Sequence, residues 1–125
     1  MAVKKQTKKI VEKGRIYITA TFNNTIVTIT DDNGHVLLVD SCGMHGFSGT
    51  RKSTPHAATV TTESSIKRAI ENHNLSVVDI FIKGIGPGRE AALRAVKSSN
   101  LEVNRIIDIT PIPHNGVRPP KLRRV

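Results

Sequence analysis

The chain has 125 residues, 38% of them apolar, which is enough for one domain around one hydrophobic core. A formal net charge of +9 points to an anionic partner, nucleic acid before a membrane surface. The single cysteine, Cys42, excludes a disulfide framework, and no apolar run is long enough to span a bilayer, so a soluble, cytoplasmic protein is expected.

The chain opens on a basic arm, residues 1–15. Six cations (Lys4, Lys5, Lys8, Lys9, Lys13, Arg15) stand there against one acid, Glu12, with no apolar stretch behind them to make a signal peptide. Residues 16–22, IYITATF, then alternate in period two, with Ile16, Ile18, Ala20 and Phe22 on one face of a predicted strand. Asn23-Asn24 reads as a turn, and the β-branched run 25–30, TIVTIT, as a second strand. Asn33-Gly34 marks a hairpin, which predicts a third strand at 35–40, HVLLVD.

A glycine-punctuated loop, SCGMHGFSGTRKS, follows. Thr54-Pro55 supplies an N-cap and a first-turn proline, and predicts a helix to about residue 72 with Ala58, Thr62, Ile66, Ala69 and Ile70 inward. Residues 77–83, VVDIFIK, predict the fourth strand. GIGPG is a loop, and 89–99 a short helix with Ala92, Leu93 and Val96 inward. Residues 103–109 predict the fifth strand. The order β-β-β-α-β-α-β and the right-handed crossover rule give a mixed five-stranded sheet, 3-2-1-4-5, with two helices packed on its faces. This is a single α/β domain, residues 16–110, of ribonuclease H-like topology. It contains nine basic and nine acidic residues, so the whole charge excess lies on the two ends.

The second end, 111–125, is proline-rich and basic. Pro111, Pro113, Pro119 and Pro120 forbid an ordinary helix or a central strand. Arg118, Lys121, Arg123 and Arg124 stand without an acid between them. Such a segment is expected to become ordered only along an anionic partner, and its stiffness suits threading into a groove.

Between the ends, Lys83–Glu90, KGIGPGRE, joins a strand to a helix. That is where amides and the helix dipole favour a phosphate, with Arg89 adjacent. The spacing Gly84-x-Gly86-x-Gly88 is not the dinucleotide fingerprint, and the alternative is a tight turn. Arg51 and Lys52 precede the first helix and suit phosphate; Arg51 occupies the glycine position that a P-loop needs, so that motif is excluded. Cys42 and His45 have ligand-like spacing but are two where structural zinc needs four, which leaves a small loop cysteine. His35, His56 and His73 are scattered and carry no role. The acids Asp31, Asp32, Asp40, Asp79 and Asp108 are dispersed, and the first strand has none where a ribonuclease H-type metal site needs one. The expectation is a binding protein, not an enzyme, without cofactor, metal or small-molecule substrate.

Four segments carry a family resemblance: FNNTIVTITD (22–31), GFSGTRKSTP (46–55), KGIGPGRE (83–90) and DITPIPHNGVRPPKLRRV (108–125). The chain resembles the family of small-subunit ribosomal protein eleven in its bacterial form. The resemblance implies a ribonuclease H-like fold without catalytic acids, and a structural protein of the subunit platform. Such a protein would bridge small-subunit rRNA helices and help form the cleft where mRNA pairs its Shine–Dalgarno sequence, with ribosomal proteins seven and eighteen as neighbours. It implies RNA contacts at Asn23, Asn24, Arg51, Lys52, Ser53, Gly84, Gly86, Gly88, Arg89, His114, Asn115, Arg118, Lys121, Arg123 and Arg124. The chain departs from the family at Ser48 and Leu122, where basic residues are usual, at Ile85, usually proline, and at Val117, usually cysteine.

Overall fold

The structure is a computed structural model that describes residues 12–46, 49, 54–118, 120 and 121. Five strands form one sheet: β1 (Lys13–Ala20), β2 (Thr25–Asp31), β3 (Val36–Ser41), β4 (Val77–Lys83) and β5 (Glu102–Asp108). Two helices, α1 (Pro55–His73) and α2 (Gly88–Ser98), and a short 3-10 turn, Cys42–His45, complete it. The strand order is β3-β2-β1-β4-β5. β1 pairs antiparallel with β2 and parallel with β4; β2–β3 is antiparallel and β4–β5 parallel. The expected order and topology are thus observed.

One expectation is refined. Both helices lie on the same face of the sheet, packed against each other. The crossovers β3 to β4, through α1, and β4 to β5, through α2, step in the same direction, and two right-handed crossovers in one direction place their helices on one side. The core fills the space between. Ile16, Ile18, Val27, Ile29, Val78, Ile80 and Ile82 point from the sheet; Ala58, Ile66, Ala69, Ala92 and Val96 point from the helices. Burying each larger aliphatic contributes roughly 1.5–3 kcal/mol. Among the described residues, the opposite face of the sheet carries no helix.

α1 forms despite the run Thr59-Val-Thr-Thr, whose helix propensity is poor. Thr54 caps it by accepting from the Ala57 amide, and Pro55 takes the first turn. The hydroxyls of Thr59, Thr62 and Ser65 donate to the carbonyls four residues earlier, so polar side chains are satisfied even where buried. Asn74, in the left-handed region at φ 52°, ends the helix with its amide on the Ile70 carbonyl.

β1 begins at Lys13 and stops at Ala20. Phe22, expected on the inward face of that strand, lies instead in the β1–β2 turn and is 70% exposed. The cause is local. The Thr21 hydroxyl accepts from the Asn23 and Asn24 amides and the Thr21 amide donates to the Asn24 carbonyl, which closes a turn two residues early.

Candidate nucleic-acid interface

The parallel relation of β1, β4 and β5 brings their C-terminal ends to one edge of the sheet. β2 starts at this edge and β3 ends there. Both helices run back antiparallel to the strands they connect, so their N-termini also lie there. In open α/β sheets this edge is where ligands bind. The β1–β2 turn, the Cys42–His45 turn, the start of α1, the GIGPG loop and the root of the C-terminal tail all gather at it.

The GIGPG loop is pressed onto the end of β1. Gly84 adopts φ 96°, and a Cβ there would be driven into the Ala20 carbonyl; a Cβ on Gly86 would meet the Thr21 backbone. Gly88 packs against Thr25 and Ala58, which brings the two helix starts together. Three of the loop's amides have internal acceptors. Gly84 donates to the Thr110 hydroxyl at 3.0 Å, Gly86 to the Ala20 carbonyl at 3.2 Å, and Arg89 to the Gly86 carbonyl at 3.2 Å. The Ile85 and Gly88 amides have none among the described residues and remain for an outside acceptor. The tight turn therefore accounts for the glycines, and two amides with the dipole of α2 account for any anion contact.

Arg89 is the buttress of this loop. Its guanidinium donates to the Gly84 carbonyl at 2.8 Å and to Asp108 at 2.7 Å. Asp108 also accepts from the Thr110 amide and hydroxyl. The bond from Arg89, then those from Thr110, hold the Asp108 carboxyl well below the usual carboxylate range. Sequence reasoning misses Asp108 and Thr110 because their partners lie nineteen residues or more away. They lock the end of β5, and with it the exit of the tail, against the GIGPG loop.

Beyond Thr110 the described tail is exposed throughout, with His114 and Asn115 in a turn in which Asn115 takes φ 56°. Arg118 and Lys121 are exposed. Of the β1–β2 turn residues, Asn23 is exposed, while the Asn24 side chain accepts from the Thr25 amide at 2.8 Å. The sequence-predicted residues Asn23, Asn24, Gly84, Gly86, Gly88 and Arg89 thus share one edge. Arg51, Lys52, Ser53, Arg123 and Arg124, and the family departures Ser48 and Leu122, lie outside the described residues. The other departures, Ile85 and Val117, are exposed at 72% and 94%.

Three further aspartates, Asp40, Asp79 and Asp31, are each held by different partners. Asp40, fully buried on β3, accepts from the Ser41 amide, Ser65 and Arg68, and pairs with His45 Nε2 at 2.6 Å. This cluster joins β3, the 3-10 turn and α1 at the same edge. His45 faces Asp40, while Cys42 is buried and accepts from Thr61, so the two do not act as a ligand pair. Asp79 is buried on β4 and paired with Arg105, and Asp31 caps the β2–β3 hairpin through the Asn33 and His35 amides. No helix of the described residues is long and apolar enough to cross a membrane.

The site is an edge built of backbone turns, held by an Arg–Asp lock and adjoined by the root of the basic C-terminal tail. The sequence profile of the family described as Ribosomal protein S11 matches residues 14–124, nearly the whole chain. The chain belongs to the ribosomal protein S11 family, whose members are structural, RNA-binding components of the small ribosomal subunit and act in translation.

Proposed function

We propose that this chain bridges separate small-subunit rRNA helices on the platform and helps form the cleft in which mRNA pairs its Shine–Dalgarno sequence. Ribosomal proteins seven and eighteen are its neighbours in this reading, and the ribosome in the cytoplasm is its place of work. One observation carries the bridging. The two basic ends are rooted at opposite edges of the sheet. The Glu12 carbonyl, just before β1 and so at the foot of the N-terminal arm, accepts from the Ser76 and Val77 amides at the start of β4. The tail leaves from Thr110, beside the loop at the other edge.

In this reading the loop edge and tail hold one RNA segment. Asn23, Gly84, Gly86 and Gly88 offer turns and amides. Asn24 and Arg89 shape the edge. Arg51, Lys52, Ser53, His114, Asn115, Arg118, Lys121, Arg123 and Arg124 supply cations and hydrogen-bonding groups for phosphate and sugar. The role is structural, with no chemical step.

The test replaces Arg51 and Lys52 together by alanine. Binding to small-subunit rRNA should weaken and its salt slope should fall by roughly 1.5, about 0.7–0.9 for each phosphate no longer neutralised, while the melting temperature holds. Equal losses of binding and stability would make the pair structural. Chemical probing of reconstituted subunits should show protection in at least two rRNA helices; protection confined to one would refute the bridging.

A further inference from the structure

The sheet face opposite α1 and α2 carries a feature that the loop edge does not involve. Tyr17 on β1 and Phe81 on β4 are in register on neighbouring parallel strands, both half-exposed. Their rings stack at 4.9 Å between centroids, 15° from parallel. The Arg15 guanidinium lies 5.8 Å from the Phe81 centroid, a cation–π arrangement. Its hydrogen bond to the Tyr17 hydroxyl is long, 3.4 Å, and its buried Nε has no partner among the described residues. Arg105 on β5 stands across Asp79 from Arg15, its side chain 59% exposed. Asp79 itself is 2% exposed, with Oδ2 on Arg105 and Oδ1 unpartnered, so an incoming ligand meets the arginines and not the acid.

We propose that this face is a platform for single-stranded RNA, with Tyr17 and Phe81 stacking bases and Arg15, Arg105 and Lys83 holding the backbone. Three observations select RNA as the occupant. First, the aromatics sit at the middle of a sheet face that no helix of the described residues covers, beside the cations Arg15, Arg105 and Lys83, the combination that single-stranded nucleic acid uses. Second, the charge is graded. Lys83 lies at the loop edge, whereas Lys13 at the start of β1 stands among the acids Asp32 and Glu102 near the start of β1 and of β5. Third, the face is continuous with the proposed interface, because Lys83 directly precedes Gly84. The β2–β3 half of the same face, where Ile26 and Val39 are exposed and the strands carry no cation, is left out. The platform rests on the reading of this chain as an rRNA-binding protein and adds to it a second surface that takes unpaired nucleotides.

The chain has one tyrosine and no tryptophan, so its intrinsic fluorescence reports on this face alone. The protein is titrated with a single-stranded oligoribonucleotide of about ten nucleotides and with the corresponding duplex. Binding of each is followed in parallel by anisotropy of a label on the RNA. The single strand should quench Tyr17 and the duplex should not. Phe81→Leu, which keeps apolar bulk but removes the ring, should weaken single-strand binding roughly 5- to 150-fold and leave duplex binding unchanged. Single-strand binding by anisotropy with no Tyr17 response, or with full affinity in Phe81→Leu, overturns the platform and leaves the edge reading intact. Failure of both RNAs to bind overturns the platform and the broader reading together. Quenching by a neighbouring small-subunit protein but not by RNA assigns the face to that protein and also overturns the proposal.

Discussion

Ending the chain after Thr110 removes the tail and spares the lock that holds the loop edge. Thr110 keeps its bonds to Gly84 and Asp108, so the truncated protein retains the hydrogen bonds that fix the end of β5. The structure sets the size of the effect on stability. Ile112 is 73% and Val117 94% exposed, so the tail's described apolar side chains bury almost nothing. Ordering a segment costs about 1–2 kcal/mol per residue in backbone entropy, which surface this exposed cannot offset. The melting temperature should therefore move by no more than about 2 °C. RNA affinity should behave differently. Truncation removes four cations, Arg118, Lys121, Arg123 and Arg124. At roughly 0.7–0.9 per phosphate contact, the slope of log K against log salt should fall by about 3. Filter binding to small-subunit rRNA at several salt concentrations, beside a thermal melt, measures both. An unchanged slope would show that the tail does not meet phosphate. A large drop in melting temperature would show that it packs on the domain, and either result refutes the reasoning.

Two further outcomes follow from the loop edge. Gly86→Ala forces a Cβ against the Thr21 backbone, which cannot retreat without losing the Gly86–Ala20 hydrogen bond. Overpacking of this kind costs about 1–3 kcal/mol, a fall of roughly 3–15 °C in a thermal melt, and an unchanged melt would mean that the loop yields to the added methyl. Asp108→Asn should destabilise the protein at neutral pH but not in strong acid. The wild-type carboxyl is depressed in the folded state, so its contribution is present above the unfolded carboxylate value, about 4. It is lost as pH falls below that toward the folded value. Melts of both proteins from pH 7 to pH 2 should therefore converge; a constant gap would mean that Arg89 is not held by charge.

The sheet was legible because its signals are local. β-branched alternation, Asn33-Gly34 and Thr54-Pro55 each specify a strand, a turn or a cap within a few residues, and the crossover rule orders the strands. The contacts that shape the candidate site are not local. Asp40 meets Ser65 and Arg68 from 25 and 28 residues away, and Arg89 meets Asp108 from 19. Nothing in the spacing of a lone Asp on a predicted strand says which cation will arrive. Phe22 shows the opposite failure: its place in the alternation is right, but the Thr21 hydroxyl closes the turn first. A low aromatic content by itself argues against base stacking. Position matters more than number, since Tyr17 and Phe81 meet across β1 and β4.

Under the proposed bridging role, the separation of the two basic ends accounts for the electrically neutral middle of the chain. β1 spans eight residues, so at about 3.3 Å per residue the roots of the two ends stand some 25 Å apart across the sheet. The Debye length at physiological salt is about 8 Å, roughly a third of that. Charges at the two roots are therefore screened from one another. A domain carrying net positive charge throughout would spread over whatever RNA lay nearest and would have no reason to favour two contacts over one. With nine acids cancelling nine bases between residues 16 and 110, the net positive charge is confined to the ends. In the proposed bridging role, the sheet between them sets the distance at which two RNA segments are held, and the stiffness of that spacer is what such a role needs.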